Sequence, residues 1–127
     1  MNKMTALWAR TALIWFLATM AFGMYLGMTG QFGASSSHAH LGLLGWLSAI
    51  AFAFLHHVAD PEGKLARAGV AHWALHNLGL VIHATCLWLV IKTGNPMFGK
   101  LIGVGGAILL LANLGFALLI WGRLKAR

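Results

Sequence analysis

The 127 residues include only two acidic side chains, two prolines and one cysteine, and charged residues of both signs make up 9% of the chain. So little charge excludes a soluble domain of this size, because a water-facing surface could not be covered. With Cys86 as the sole cysteine, no intrachain disulfide can form, and the thiol reads as a small apolar packing residue. The acidic residues, Asp60 and Glu62, share one short segment, so no long apolar run carries a carboxylate.

What is present is apolar. Hydrophobic residues make up 60% of the chain. A lipid bilayer is the solvent that fits, and there backbone polar groups must be satisfied internally, which means helices. About 20 apolar residues cross the hydrocarbon. Four such runs fit, at about 6–29, 36–58, 68–91 and 98–121. The expected fold is an all-α membrane protein, a four-helix bundle forming one domain over residues 1–127. The stretch from Leu7 to Met28 is too long for a signal-peptide core and is kept as the first span.

The net charge of +7 is distributed unevenly. Lys3 and Arg10 lie in the N-terminal segment, Lys64 and Arg67 in the middle loop, and Arg123, Lys125 and Arg127 at the C-terminal end. The first loop has no charge and the third has Lys92 and Lys100. This is a positive-inside pattern with both termini cytoplasmic, in a multi-pass protein of a bacterial-type inner membrane. No basic face on a folded module is left for nucleic acid.

Punctuation divides the runs. Gly23 and Gly27 have the spacing that lets membrane helices approach closely, and Met24 and Met28 beside them read as gap fillers. Gly33 to Ser37 is expected to be an outer turn, its serines capping the second helix. Asp60-Pro61-Glu62-Gly63 is the clearest turn, and Thr93-Gly94-Asn95-Pro96 is the second outer turn. The fourth run has one interior polar side chain, Asn113, with Trp121 and Arg123 as interfacial anchors.

Seven histidines, all of them in or at the ends of two spans, demand an explanation. A helix–helix hydrogen bond accounts well for one such residue, but intramembrane ionisable groups as a set point to function. At about 100° per residue, His72, His76 and His83 fall on one face of the third helix. His38 and His40, about 200° apart, point to opposite sides of the second, so one helix offers a ligand to each of two neighbours. Zinc sites recruit Cys, Asp or Glu as well, which these spans lack. Heme fits better, needing axial imidazoles in an apolar slot, for which Gly42, Gly45, Trp46 and Phe52 are suitable lining. His56 and His57, at the cytoplasmic end of the helix, read as interfacial residues meeting water and headgroups; a second metal site with His72 is the alternative.

His38-Ala39-His40, with Gly45 further on and His57 before Asp60-Pro61, resembles the tenth helix of subunit I of the heme-copper oxidases. The next helix agrees: His72-Trp73-Ala74-Leu75 followed by Gly79 is similar to that family's His-Phe-Ala-Ile and later Gly, and Thr93-Gly94-Asn95-Pro96 sits where its helix exits. The resemblance covers about residues 36–96. Subunit I is a pseudo-threefold arrangement of four-helix units, so the resemblance implies one such unit, rebuilt as a homotrimer. It also implies His38 and His40 as axial ligands to heme b on either side of the second helix, with His38 of one protomer and His40 of the next sharing each heme. The family's copper histidines come from a different unit, and His76 and His83 have no counterpart, so copper is allowed but not implied. His72, His76 and His83 remain secondary candidates.

The expected role is that of a b-type cytochrome in electron transfer. With two histidines on every heme, no coordination position is open for oxygen or nitric oxide. The competing readings are a small oxygen or nitric oxide reductase or quinol oxidase with an open heme site, and a histidine-based copper or zinc handling protein with Met24, Met28 and Cys86 as candidate soft ligands. A small multidrug-resistance transporter is excluded by the missing intramembrane carboxylate. No motif names the electron donor or acceptor, whether a quinone or another redox partner.

Overall fold

The computed structural model describes residues 1–124 and is all-helical. Four helices are long and apolar enough to cross a membrane: α1 (Lys3–Thr29), α2 (Phe32–Ala59), α3 (Ala66–Thr93) and α4 (Pro96–Trp121). Each contains the run expected for it and extends it by a few residues at one or both ends, because the capping residues lie outside the apolar stretch. Lys125 and Arg127, counted in the charge bias, lie outside the described residues.

The caps explain the boundaries. Asn2 accepts from the Thr5 backbone N–H at 2.8 Å and starts α1. Gly30, at φ 67°, ends it. Gly94, also at φ 67°, ends α3, after which Asn95 accepts from Met97 N–H and Pro96 fills the first position of α4. Both φ values lie in the left-handed region that glycine enters without penalty.

The first connection differs from the expectation. The chain turns at Gly30–Gln31, not over Gly33 to Ser37, and a short 3₁₀ turn at Phe32–Ala34 leads directly into helix. Ser35, Ser36 and Ser37 are therefore inside α2. Ser37 instead donates to the Ala84 carbonyl of α3 at 2.7 Å, a helix–helix hydrogen bond in place of a cap. The middle of α2 widens into a π-helical segment over Leu41–Leu47.

Asp60 fastens one end of the bundle. It is 1% exposed, and its two carboxylate oxygens accept from Lys64 and Leu65 backbone N–H groups at 2.9 Å each. Arg123 of the α4 end stands 3.6 Å away, and Asn2 before α1 donates to the His56 and Asp60 carbonyls. One end therefore gathers the start of α1, the α2–α3 loop and the end of α4, with Lys3, Lys64 and Arg123 among them.

Helix contacts are set by glycine. A Cβ on Gly105 would meet the His83 backbone nitrogen at 2.7 Å, and one on Gly79 the Gly105 carbonyl at 3.0 Å, so α3 and α4 touch backbone to backbone. Between α1 and α2, Gly45 admits Trp15 and Gly23 admits the His38 ring. Gly27, the other half of the small-residue pair, touches nothing across the bundle. Leu13, Leu17, Leu110, Leu111 and Leu118 face outward, the apolar exterior that a bilayer accommodates.

Candidate functional site

The histidines separate into an outward-looking group near the start of α2 and a buried group near its end. Two residues apart on one helix, His38 and His40 diverge as the helical period requires. His38 lies over α1: a Cβ on Gly23 would be 2.7 Å from its ring, and Phe22 is 6.4 Å away between centroids. The ring is half-buried, makes no hydrogen bond, and its Nδ1 is enclosed without a partner. Phe22 also lines a cleft of about 390 Å³ between α1, α2 and α3, with Trp15, Ser37, Leu41, Val81 and Trp88; His38 is not in its wall.

His40 turns the other way, toward α3. Its Nδ1 is 2.7 Å from the Ser36 carbonyl, so the ring donates there and its Nε2 keeps a free lone pair. The His83 ring is 5.0 Å away, tilted by 40°, with Nδ1 3.2 Å from the Ile102 carbonyl of α4. Both rings are thus oriented by backbone carbonyls, the arrangement that prepares an imidazole as a metal ligand.

Of the lining residues, Gly45 is filled by Trp15, with 2.9 Å left for a Cβ, and Gly42 faces Thr19 at 3.3 Å. Both serve the close approach of α1 and α2. Trp46 is at the surface against Phe16. Phe52 is half-buried, 4.8 Å from Trp8 and 5.2 Å from Phe116 between centroids.

The second group surrounds Phe52. The face shared by His72 and His76 meets Asn113 of α4, whose Oδ1 lies 3.0 Å from His72 Nε2 and 3.1 Å from His76 Nδ1. His76 Nε2 donates to the Leu44 carbonyl in the wide turn of α2 at 2.8 Å. A neutral His76 that donates there carries no hydrogen on Nδ1, so the ring that donates to Asn113 Oδ1 is His72, through Nε2–H. One amide oxygen thus sits within hydrogen-bond distance of both histidines and ties α4 to α3. His83, one glycine contact further along the same face, does not join them.

His56 and His57 divide. His57 is exposed, as expected of an interfacial residue, but His56 is 0% exposed. Neither of its ring nitrogens has a partner, and its ring lies against Phe116 at 5.2 Å. The π-helical segment displaces the phase of α2 beyond what a regular count gives, and Gly69 of α3 leaves the space that His56 enters. Sequence reasoning also missed Trp8, fully buried against Phe52, His72 and His76. Its position one turn inside an apolar run carries no distinguishing signal.

Of the soft residues named for copper handling, Met24 and Met28 are 65% and 84% exposed, and Cys86 is buried on α3. Among the described residues no three His, Cys, Asp or Glu side chains stand together to hold a metal ion. Comparison of the chain with protein-family models, curated proteins and solved structures found no match.

Proposed function

We propose that this chain is a membrane-embedded b-type heme protein with an electron-transfer role, built as one four-helix unit resembling those of heme-copper oxidase subunit I. The observation that carries the reading is the divergence of His38 and His40, one ring over α1 and the other toward α3, each with ligating capacity left over. The donor set suits heme iron: His40 has Nδ1 held by the Ser36 carbonyl and Nε2 free, and His38 rests in space that only glycine at position 23 provides. The aromatic-lined cleft reaches Ser37, and Phe22 in its wall lies 6.4 Å from the His38 ring, so an apolar slot is at hand although His38 does not line it.

His38 and His40 would each hold one axial position, and heme there would supply a one-electron carrier. Since the two rings face away from each other, a second imidazole for each iron would come from a neighbouring protomer, and the resemblance to the pseudo-threefold subunit I favours a homotrimer. The basic end of the bundle, with Lys3, Lys64 and Arg123, is read as cytoplasmic by the positive-inside rule, and the histidine pair then lies toward the outer face of a bacterial-type cell membrane.

Absorption spectroscopy of the purified membrane protein tests this. A Soret band with sharp reduced α and β bands is expected, and His38→Ala and His40→Ala should each lose most of the heme. Full heme retention in both variants would remove the ligand assignment. Carbon monoxide should leave the reduced spectrum nearly unchanged; a ready shift would mark an open heme and favour the oxygen or nitric oxide reductase reading.

A further inference from the structure

We propose a copper(I) site at the opposite end of α2 from the histidine pair, formed by the Met4 thioether and the His56 imidazole. His56 is completely buried with both ring nitrogens unpartnered, an arrangement that calls for a ligand on at least one of them. Met4, 2% exposed on the first turn of α1, meets it over Gly69: a Cβ there would lie 2.9 Å from Met4 Cγ and 3.1 Å from His56 Cε1. His72, whose Nδ1 is also buried without a partner, lies 4.3 Å from the same Phe116 ring and is a further imidazole in that corner.

The chemistry of these donors selects the ion. Thioether and imidazole are soft or borderline ligands and suit copper(I). Zinc asks for four ligands, commonly with thiolate or carboxylate among them. The nearby carboxylate, Asp60, is already engaged by two backbone N–H groups and Arg123. A singly charged ion also costs less to bury than a divalent one. A cavity of about 430 Å³ at the same end is lined by Lys3, Met4, Glu62, Gly63 and Ala66, so Met4 both lines it and meets His56 over Gly69.

The site shares no residue with the proposed heme ligands, so the two readings stand or fall separately. The test uses the full chain in detergent, stripped by a chelator and then given copper(I) under anaerobic reducing conditions against a competing copper(I) chelator. One copper per chain is expected, with both nitrogen and sulfur neighbours in the X-ray absorption spectrum. Met4→Leu keeps the packing volume; it should abolish the sulfur signal and weaken binding by about tenfold or more. His56→Leu should abolish binding. His57→Ala and the Met24→Leu, Met28→Leu pair should bind as wild type. If the wild-type chain retains no copper, or if Met4→Leu keeps both affinity and sulfur signal, the site is refuted, even where His56→Leu fails to fold. Heme content of the same preparations, read by absorbance, reports on the other proposal independently.

Discussion

The two ends of α2 treat the same side chain in opposite ways. Near its start, His38 and His40 are half-buried, and His40 uses one nitrogen on a backbone carbonyl and leaves the other free. Near its end and beside it, His72 and His76 are buried and joined through Asn113 into a bridge between α3 and α4. Membrane helices gain nothing from burying apolar surface against each other when lipid is equally apolar, so polar bridges and close glycine contacts carry specificity there. The inner histidines thus have an architectural task that the outer pair lacks. A histidine in a span is a functional candidate only after its hydrogen bonds are counted.

The largest effect that could break this contrast is on cofactor content. Replacing His38 or His40 by Ala should remove most heme while leaving the helices assembled, because neither side chain bridges two helices by a hydrogen bond. His76→Ala should do the reverse, keeping most heme and lowering stability. Measuring heme per chain and unfolding midpoint in the same samples decides; a His76 variant that loses heme as fully as His40→Ala would erase the distinction.

Next in size is Asn113→Leu. The substitution strips both histidines of their shared partner and leaves buried polar atoms unpaired, at about 1–3 kcal/mol for each group. Unfolding in a denaturing detergent mixture should show a loss of roughly 2–4 kcal/mol, within the range for breaking a buried network. Gly105→Ala should follow at about 1–3 kcal/mol, since its Cβ would press on the His83 backbone nitrogen, and backbone cannot move aside as a side chain can. Gly103→Ala, which meets nothing, is the matched control.

These sites differ in how far they could be read in advance. The four spans follow from apolar run length alone, and Pro96 and Gly94 marked the α3–α4 turn. The divergence of His38 and His40 and the alignment of His72 with His76 follow from the helical period, because few residues separate the members of each set. The period fails across Leu41–Leu47, where the helix is wider than a regular count assumes. Which of His56 and His57 faces inward was therefore not legible. The position of Met4 beside His56 depends on how α1 and α3 approach α2, and that is decided by glycines whose use is invisible in sequence: Gly69 opens space, whereas Gly27 meets nothing. Asp60 was recognised as a turn residue, but its burial depends on Asn2 and Arg123, distant along the chain.

The smallest expected effect sharpens the contrast most finely. Ser37 precedes His38 and donates to the Ala84 carbonyl, so it belongs by position to the outer group and by bonding to the architectural one. Ala84 lies inside α3, where its carbonyl can keep an intrahelical partner when the hydroxyl is removed. Ser37→Ala should then cost only about 0.5–1 kcal/mol, the usual range for a helix–helix hydrogen bond in a membrane. Its heme content should stay near that of the wild type, because the hydroxyl reaches neither ring. A Ser37→Ala protein of unchanged stability but sharply reduced heme would mean that the α2–α3 contact sets the orientation of His38, and that scaffold and ligand cannot be treated as separate parts at this end of the helix.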